Sequence, residues 1–240
     1  MTLVNFRRPY ARSCARCGSQ ALETNLFRGG DPSFLTAADA ERLRSEHGVA
    51  RTLDLRSDDE VARTGPPQAL LDAGIEWVRC PLSDYVSATE LRALSNPDAY
   101  SDSYVALLDN CVAGLVDAFG ALAAATGLLI TCRAGKDRTG VVMALLGATL
   151  GRCDECCADE FALSGEGLAP ALDLFRESWE KRGLSRDEYA LRVSAPRETM
   201  LSFLAKSRSR FGGLTEYLRN NIESHVLAKV RARCAERAPI

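Results

Sequence analysis

One stretch constrains this chain more than any other. Leu128-Leu-Ile130 is a short, wholly apolar run, and Val141-Val-Met-Ala-Leu-Leu-Gly-Ala-Thr-Leu150 is apolar nearly all round. Between them lie ten residues, Gly140 and the nine mostly polar ones before it, Thr131-Cys132-Arg133-Ala134-Gly135-Lys136-Asp137-Arg138-Thr139. A short run without polar alternation fits a strand buried on both faces. A helix apolar on every side lies in the middle of a fold. The polar linker therefore leaves the carboxyl end of a central strand and enters the N-terminus of a central helix, the place where open α/β sheets bind ligands.

The flanking sequence supports an α/β fold with a short, mostly parallel central sheet flanked by helices. Thr36-Ala-Ala-Asp39 resembles a capping box that opens a helix ended by Gly48. Val49–Leu55 and Ile75–Cys80 alternate as strands do, and Gly65-Pro66-Pro67 marks a turn before a short helix through Leu71. One long helix is expected over about Tyr100–Ala125. Strands and helices in alternation imply parallel pairing. From about Asp154 onward only helical spacing is visible, over Asp159–Leu163, Pro170–Arg182, Pro196–Phe211 and Thr215–Arg237. The expected organisation is a loose N-terminal segment over 1–20, then one domain over 21–240 whose helical extension starts near 154. At 46 % hydrophobic residues and a mean hydropathy of -0.11, the 240-residue chain is not a mainly disordered one.

The nine-residue linker carries the chemistry. A Cys at a helix N-terminus lies in a positive field that favours its thiolate. Five residues between Cys132 and Arg138 let the backbone curl so that several N–H groups point at one centre, and Gly135 permits the backbone angles such a curl needs. Arg138 then grips two phosphate oxygens through its fork. Thr139 places a hydroxyl near the sulfur. Arg133, Ala134, Gly135, Lys136 and Thr139 complete the expected phosphate contacts. C-x5-R alone is a weak pattern; its position between a buried strand and a buried helix makes it specific. Arg133 and Lys136 add cations that one phosphoryl group does not need, which suggests a substrate with a second anionic group.

On these residues the chain resembles the cysteine-dependent protein tyrosine phosphatase superfamily. It looks most like the bacterial branch whose loop reads HCxAGKDRTG and whose members include secreted phosphatases of dual or lipid specificity. Asn25-Leu-Phe-Arg28, Leu53-Asp-Leu-Arg56-Ser with Glu60, Cys80-Pro-Leu82, Asp159-Glu-Phe-Ala-Leu-Ser164 and Phe211-Gly-Gly-Leu-Thr-Glu-Tyr-Leu218 resemble further segments of that branch, in the same order. The resemblance implies a metal-independent phosphomonoesterase with Cys132 as nucleophile and Arg138 as phosphate grip, using no cofactor. It implies a phosphorylated metabolite, a phosphoinositide or a phosphotyrosine protein as substrate. Thr131 stands where the branch has His, which favours a weaker nucleophile and leaves a phosphate-binding pseudophosphatase as the rival class. The leaving oxygen needs an acid. Asp84, on the loop after Pro81, and Asp137, inside the motif, both qualify. Asp54 reads as an ion-pair partner of a nearby Arg.

Charge narrows the partners. Lys+Arg 30 against Asp+Glu 32 leaves -2, without the basic excess of a nucleic-acid binder. No apolar run reaches the roughly 18 residues of a membrane span. Nine Cys, and an N-terminus without the apolar core of a secretory signal, fit a reducing cytoplasm. Cys14-Ala-Arg-Cys17 and Cys153-Asp-Glu-Cys156 each have metal-ligand spacing. The 135 residues between them argue against one compact zinc module, so no metal is expected, and Cys156 and Cys157 are read as core residues.

Overall fold

The computed structural model describes residues 3–82, 97–124 and 126–235. Four strands, β1 (Leu26–Gly29), β2 (Arg51–Asp54), β3 (Glu76–Arg79) and β4 (Leu128–Thr131), form one parallel sheet in the order β1-β4-β2-β3. The apolar run at 128 is thus an inner strand, paired on both sides and buried along its whole length. Its period of two serves both faces. Leu129 packs with Phe27, Leu43 and Leu70 on one face, while Leu128 and Ile130 join Leu53, Phe119 and Val141 on the other. Thr131 ends β4 level with Gly29 and Asp54, so the next residue, Cys132, emerges where three strands finish together.

Helix α1 (Ala37–Ser45) opens on the Thr36 capping box, with Asp39 accepting the Thr36 N–H that Glu ordinarily takes. Helix α2 (Asp58–Thr64) had no signal beyond its own capping box, Ser57 with Glu60. A short α3 (Gln68–Asp72) follows the prolines. The single helix expected near 100–125 is two, α4 (Pro97–Asn110) and α5 (Val112–Ala124), bent by 83°. The break lets each half pack on a different partner. After α6 (Asp137–Thr149), α7 (Asp154–Leu168), α8 (Arg176–Glu180) and α9 (Arg186–Val193), α4 lies against α10 (Arg197–Phe211). The final helical stretch also divides at Ile222, into α11 (Leu214–Asn221) and α12 (Ser224–Ala235), and α12 packs on α5. Tertiary packing, not helix propensity, sets these breaks. Among the described residues no single helix is long and apolar enough to cross a membrane.

Residues of the N-terminal segment pack on the sheet edge and on α6. Leu3 and Tyr10 are buried, and Arg7 exchanges backbone hydrogen bonds of 3.1 and 2.9 Å with Arg28 at the sheet edge. The Arg7 guanidinium pairs with Glu160 of α7 at 3.0 Å, and Tyr10 Oη donates to the Met143 carbonyl of α6 at 2.6 Å. Farther along, Cys14 and Cys17 reach Cys153 and Cys156 at the start of α7. The 135-residue gap that separated the two pairs in sequence is closed by the fold.

Gly147 is where α6 admits the Tyr10 ring edge. A Cβ there would overlap Tyr10 Oη and stand 2.7 Å from Cys157 Sγ. Gly147→Ala is expected to destabilise the protein by about 1–3 kcal/mol through overpacking. It is also expected to speed tryptic cleavage at Arg12 and Arg16, because the segment loses its seat. Denaturant midpoints and digestion rates indistinguishable from wild type would show that Tyr10 does not hold the segment down.

Candidate active site

Residues 131–139 form a tight loop from β4 into α6. Gly135 has φ +66, and a Cβ would collide with the Gly29 carbonyl. The loop's carbonyls are tied outward. The Gly135 oxygen accepts from Asn5 Nδ2 at 2.8 Å and from Arg28 Nη2 at 2.5 Å; the Arg133 oxygen accepts from the Asp31 N–H at 3.1 Å. C=O and N–H of a trans peptide point in opposite directions. Fixing the carbonyls outside therefore turns the amides of Ala134, Gly135 and Lys136 inward. The N-cap residue of α6, Lys136, makes no side-chain cap hydrogen bond, and the positive end of the helix faces the loop. Cys132 is buried, and Thr139 Oγ1 donates to its sulfur at 3.2 Å.

Each cation of the loop has a partner from elsewhere in the chain. Arg138 makes a two-pronged bond to Glu60, with Nη2 2.9 Å from Oε1. Burial alone would raise the Glu60 carboxyl; the hydrogen bond and charge of Arg138, with Ser57, hold it down to about 2. Arg133 pairs with Asp31 at 2.7 Å and lies over the Phe34 and Phe175 rings. Asp31 also receives Arg56, which in turn binds Asp54 at 2.7 Å, so Asp54 is the ion-pair partner its position suggested. Lys136 is buried. Its ammonium donates to the Arg192 and Ser194 carbonyls at 2.9 and 3.1 Å and lies 3.3 Å from Asp137. An ammonium has three donors, and these contacts occupy them. Burial lowers the Lys136 pKa and the Asp137 charge opposes this. These bonds latch the loop to the end of α9.

The two candidate acids fare differently. Asp137 opens α6 and accepts hydrogen bonds from Tyr104 Oη and from Lys136. Burial and that neighbouring carboxylate push the Tyr104 phenol well up. Asp84 lies outside the described residues. Thr131 is fully buried, and its hydroxyl donates to the Leu53 carbonyl at 3.4 Å, a brace between strands.

Glu60, Asp31, Arg28, Asn5 and Tyr104 are the residues that sequence reading passed over as parts of the site. Glu60 and Arg28 stood inside the quoted family-like segments, but nothing local said what they touch. Beside the loop lies a cleft of about 270 Å³ that shares Glu60 and Arg133 and is lined by Arg63, Lys181, Arg182 and Arg192. The described residues thus define a class: an α/β protein with a cysteine thiol at the base of an amide cradle and an arginine fork on its rim.

The whole-chain comparison agrees with that class. Residues 2–236 match the tyrosine phosphatase family model, and the chain belongs to that family. It is 32 % identical over 142 residues to a Cupriavidus necator protein whose tyrosine-protein phosphatase name is provisional, covering 56 % of this chain and 50 % of that one. It is 31 % identical over 140 residues to a tyrosine-protein phosphatase of Nostoc commune, covering 55 % and 47 %. The chain spans about half the length of these curated relatives. Among solved structures it is similar to the core catalytic domain of the PP-IP phosphatase SIW14 from S. cerevisiae, solved with citrate, at a TM-score of 0.41 and 17 % identity over 72 % of this chain and 93 % of that one.

Glu60→Gln tests the arginine clamp. A carboxylate whose folded pKa is depressed contributes stability above its ordinary value of 4.5, and loses it as pH falls toward about 2. The variant is expected to lose about 3 kcal/mol at neutral pH, because Arg138 is left buried and half paired. Its stability should also vary less between pH 4.5 and 2 than that of wild type. Parallel acid limbs for the two proteins would remove Glu60 from this role.

Proposed function

We propose that this chain is a phosphomonoester hydrolase that works through a phosphocysteine and needs no metal ion for the reaction. The observation that carries the reading is the joint placement of a Cys132 sulfur bonded by Thr139 and an Arg138 fork held by Glu60, on either side of an inward-facing amide cradle. In the first step the Cys132 thiolate attacks phosphorus, the P–O bond to the leaving group breaks, and the leaving oxygen takes a proton from Asp84 or Asp137. Tyr104 and Lys136 both bind Asp137 Oδ1, so that carboxylate already serves as an acceptor, which favours Asp84 as donor. Arg138, the Ala134, Gly135 and Lys136 amides and the α6 N-terminus stabilise the phosphoryl oxygens. In the second step water attacks the phosphocysteine, inorganic phosphate leaves, and the thiolate returns with help from Thr139.

The substrate class follows from the neighbouring cleft. Arg63, Arg133, Lys181, Arg182 and Arg192 outnumber Glu60 and Glu177 along its wall. That surplus suits a substrate whose second anionic group lies beside the scissile phosphate: a phosphoinositide headgroup or a phosphorylated metabolite with another acidic group. A phosphotyrosine protein remains the comparison substrate. A reducing cytoplasm suits a reaction that depends on a free thiol.

Two measurements check the proposal. Cys132→Ser is expected to abolish turnover while vanadate still binds, and wild type quenched during turnover should carry phosphate on Cys132. Arg63→Ala with Arg182→Ala should raise KM for a phosphoinositide severalfold, and more at low salt, where charge attraction is strongest, with little change for a simple aryl phosphate. Vanadate binding without any turnover would favour a pseudophosphatase. Equal KM changes for both substrates would favour phosphotyrosine protein.

A further inference from the structure

The two CxxC pairs converge on one point, away from the chemistry described above. Cys14 and Cys17 lie on a turn of the N-terminal segment, closed by a 2.8 Å bond from the Cys14 N–H to the Ser19 carbonyl. Cys153 immediately precedes α7 and Cys156 lies in its first turn. Cys14 Sγ is 3.9 Å from Cys153 Sγ, Cys17 Sγ is 3.7 Å from Cys156 Sγ, and the Cys153 and Cys156 sulfurs are 3.5 Å apart. All four sulfurs lie within 4.8 Å of one another. All four cysteines are free, and the separations are far from the roughly 2.05 Å of a disulfide. Four sulfurs each about 2.3 Å from a tetrahedral zinc ion are about 3.8 Å apart, which is the spacing found here.

We propose that Cys14, Cys17, Cys153 and Cys156 bind one zinc ion as a closed, four-thiolate structural site. Four soft donors without a vacant position suit zinc held for structure rather than for catalysis. Binding forms four Zn–S bonds and releases the thiol protons to solvent. The surroundings accept the resulting negative charge. The Ser19 hydroxyl lies 3.1 Å from the Cys17 sulfur and can donate to its thiolate. No side chain caps the N-terminus of α7, so its positive end faces the cluster. Arg16 and Arg152 stand beside the two pairs in sequence, and Arg16 also reaches Glu155 of α7 at 3.5 Å.

The metal fastens the N-terminal segment to α7, the helix that also supplies Glu160 to Arg7 and Arg28. Asn5 on that segment holds the Gly135 carbonyl of the catalytic loop. The zinc site is thus a remote anchor of the cradle, and its existence does not depend on which substrate the loop takes.

The test is metal content and thiol state of the full chain, purified without a metal-affinity step. Elemental analysis is expected to find about one zinc per chain, released on titration with a mercurial. Cys17→Ser and Cys153→Ser should each lose it, while Cys132→Ser and Cys234→Ser keep it. Should either cluster variant fail to fold, stripped wild type reloaded with Co²⁺ should show the intense visible bands of tetrahedral cobalt thiolate. In zinc-loaded protein the four thiols should resist alkylation until a chelator is added. Zinc-free protein whose four thiols alkylate at once, iron in place of zinc, zinc retained by both folded cluster variants, or disulfides among the four cysteines would each overturn the proposal.

Discussion

The Arg28 guanidinium is the interaction on which the rest of this structure depends. It is fully buried at the end of β1, where a charge is costly unless it is paired and hydrogen-bonded. Its two terminal nitrogens reach two other elements, Glu160 at 2.8 Å and Ser164 at 3.3 Å on α7 and the Gly135 carbonyl of the loop after β4, while its Nε has no partner among the described residues. The sheet edge, α7 and the loop are thereby fixed to one planar group. The same geometry that satisfies Arg28 faces a loop carbonyl outward, and so turns a peptide N–H toward the site. Stability and the shape of the loop here rest on the same hydrogen bonds.

A second arrangement of charge surrounds it. Arg133, Lys136 and Arg138 would repel one another if left alone in so short a loop. Asp31, Asp137 and Glu60 separate them, each bonded to a different cation. Only one of these acids lies in the loop. The other two come from the residues after β1 and from α2, so the loop keeps its shape only inside the finished fold. Lys136 extends the arrangement to α9, which explains why a helical extension so far along the chain belongs to the same unit as the site.

What the sequence made legible was local. The apolar runs on either side of the polar linker placed Cys132 after an inner strand, and the five-residue spacing placed Arg138 on the first turn of α6. The Thr36–Asp39 box marked its helix correctly with an atypical acid. Long-range partners were not legible. Nothing near Glu60 says that it clamps a residue 78 positions away, and nothing near Cys14 says that it meets Cys153. The bend at Cys111 has no Gly or Pro to announce it and exists because α10 and α12 ask for different directions. Lys136 shows the same limit: its neighbours in sequence are the loop, but its ammonium meets the carbonyls that end α9.

Gly135 and Gly29 meet backbone to backbone, with no space for even a methyl group between strand end and loop. A joint that tight cannot be retuned by small steps, because every larger side chain is excluded at once. The amide cradle is therefore a fixed part, handed unchanged to whatever surrounds it. Variation has only the outer wall to act on, where Arg63, Lys181 and Arg182 are carried on surface helices and turns that tolerate exchange. Chains built on this joint are free to change their outer wall while the loop between strand end and helix keeps one shape.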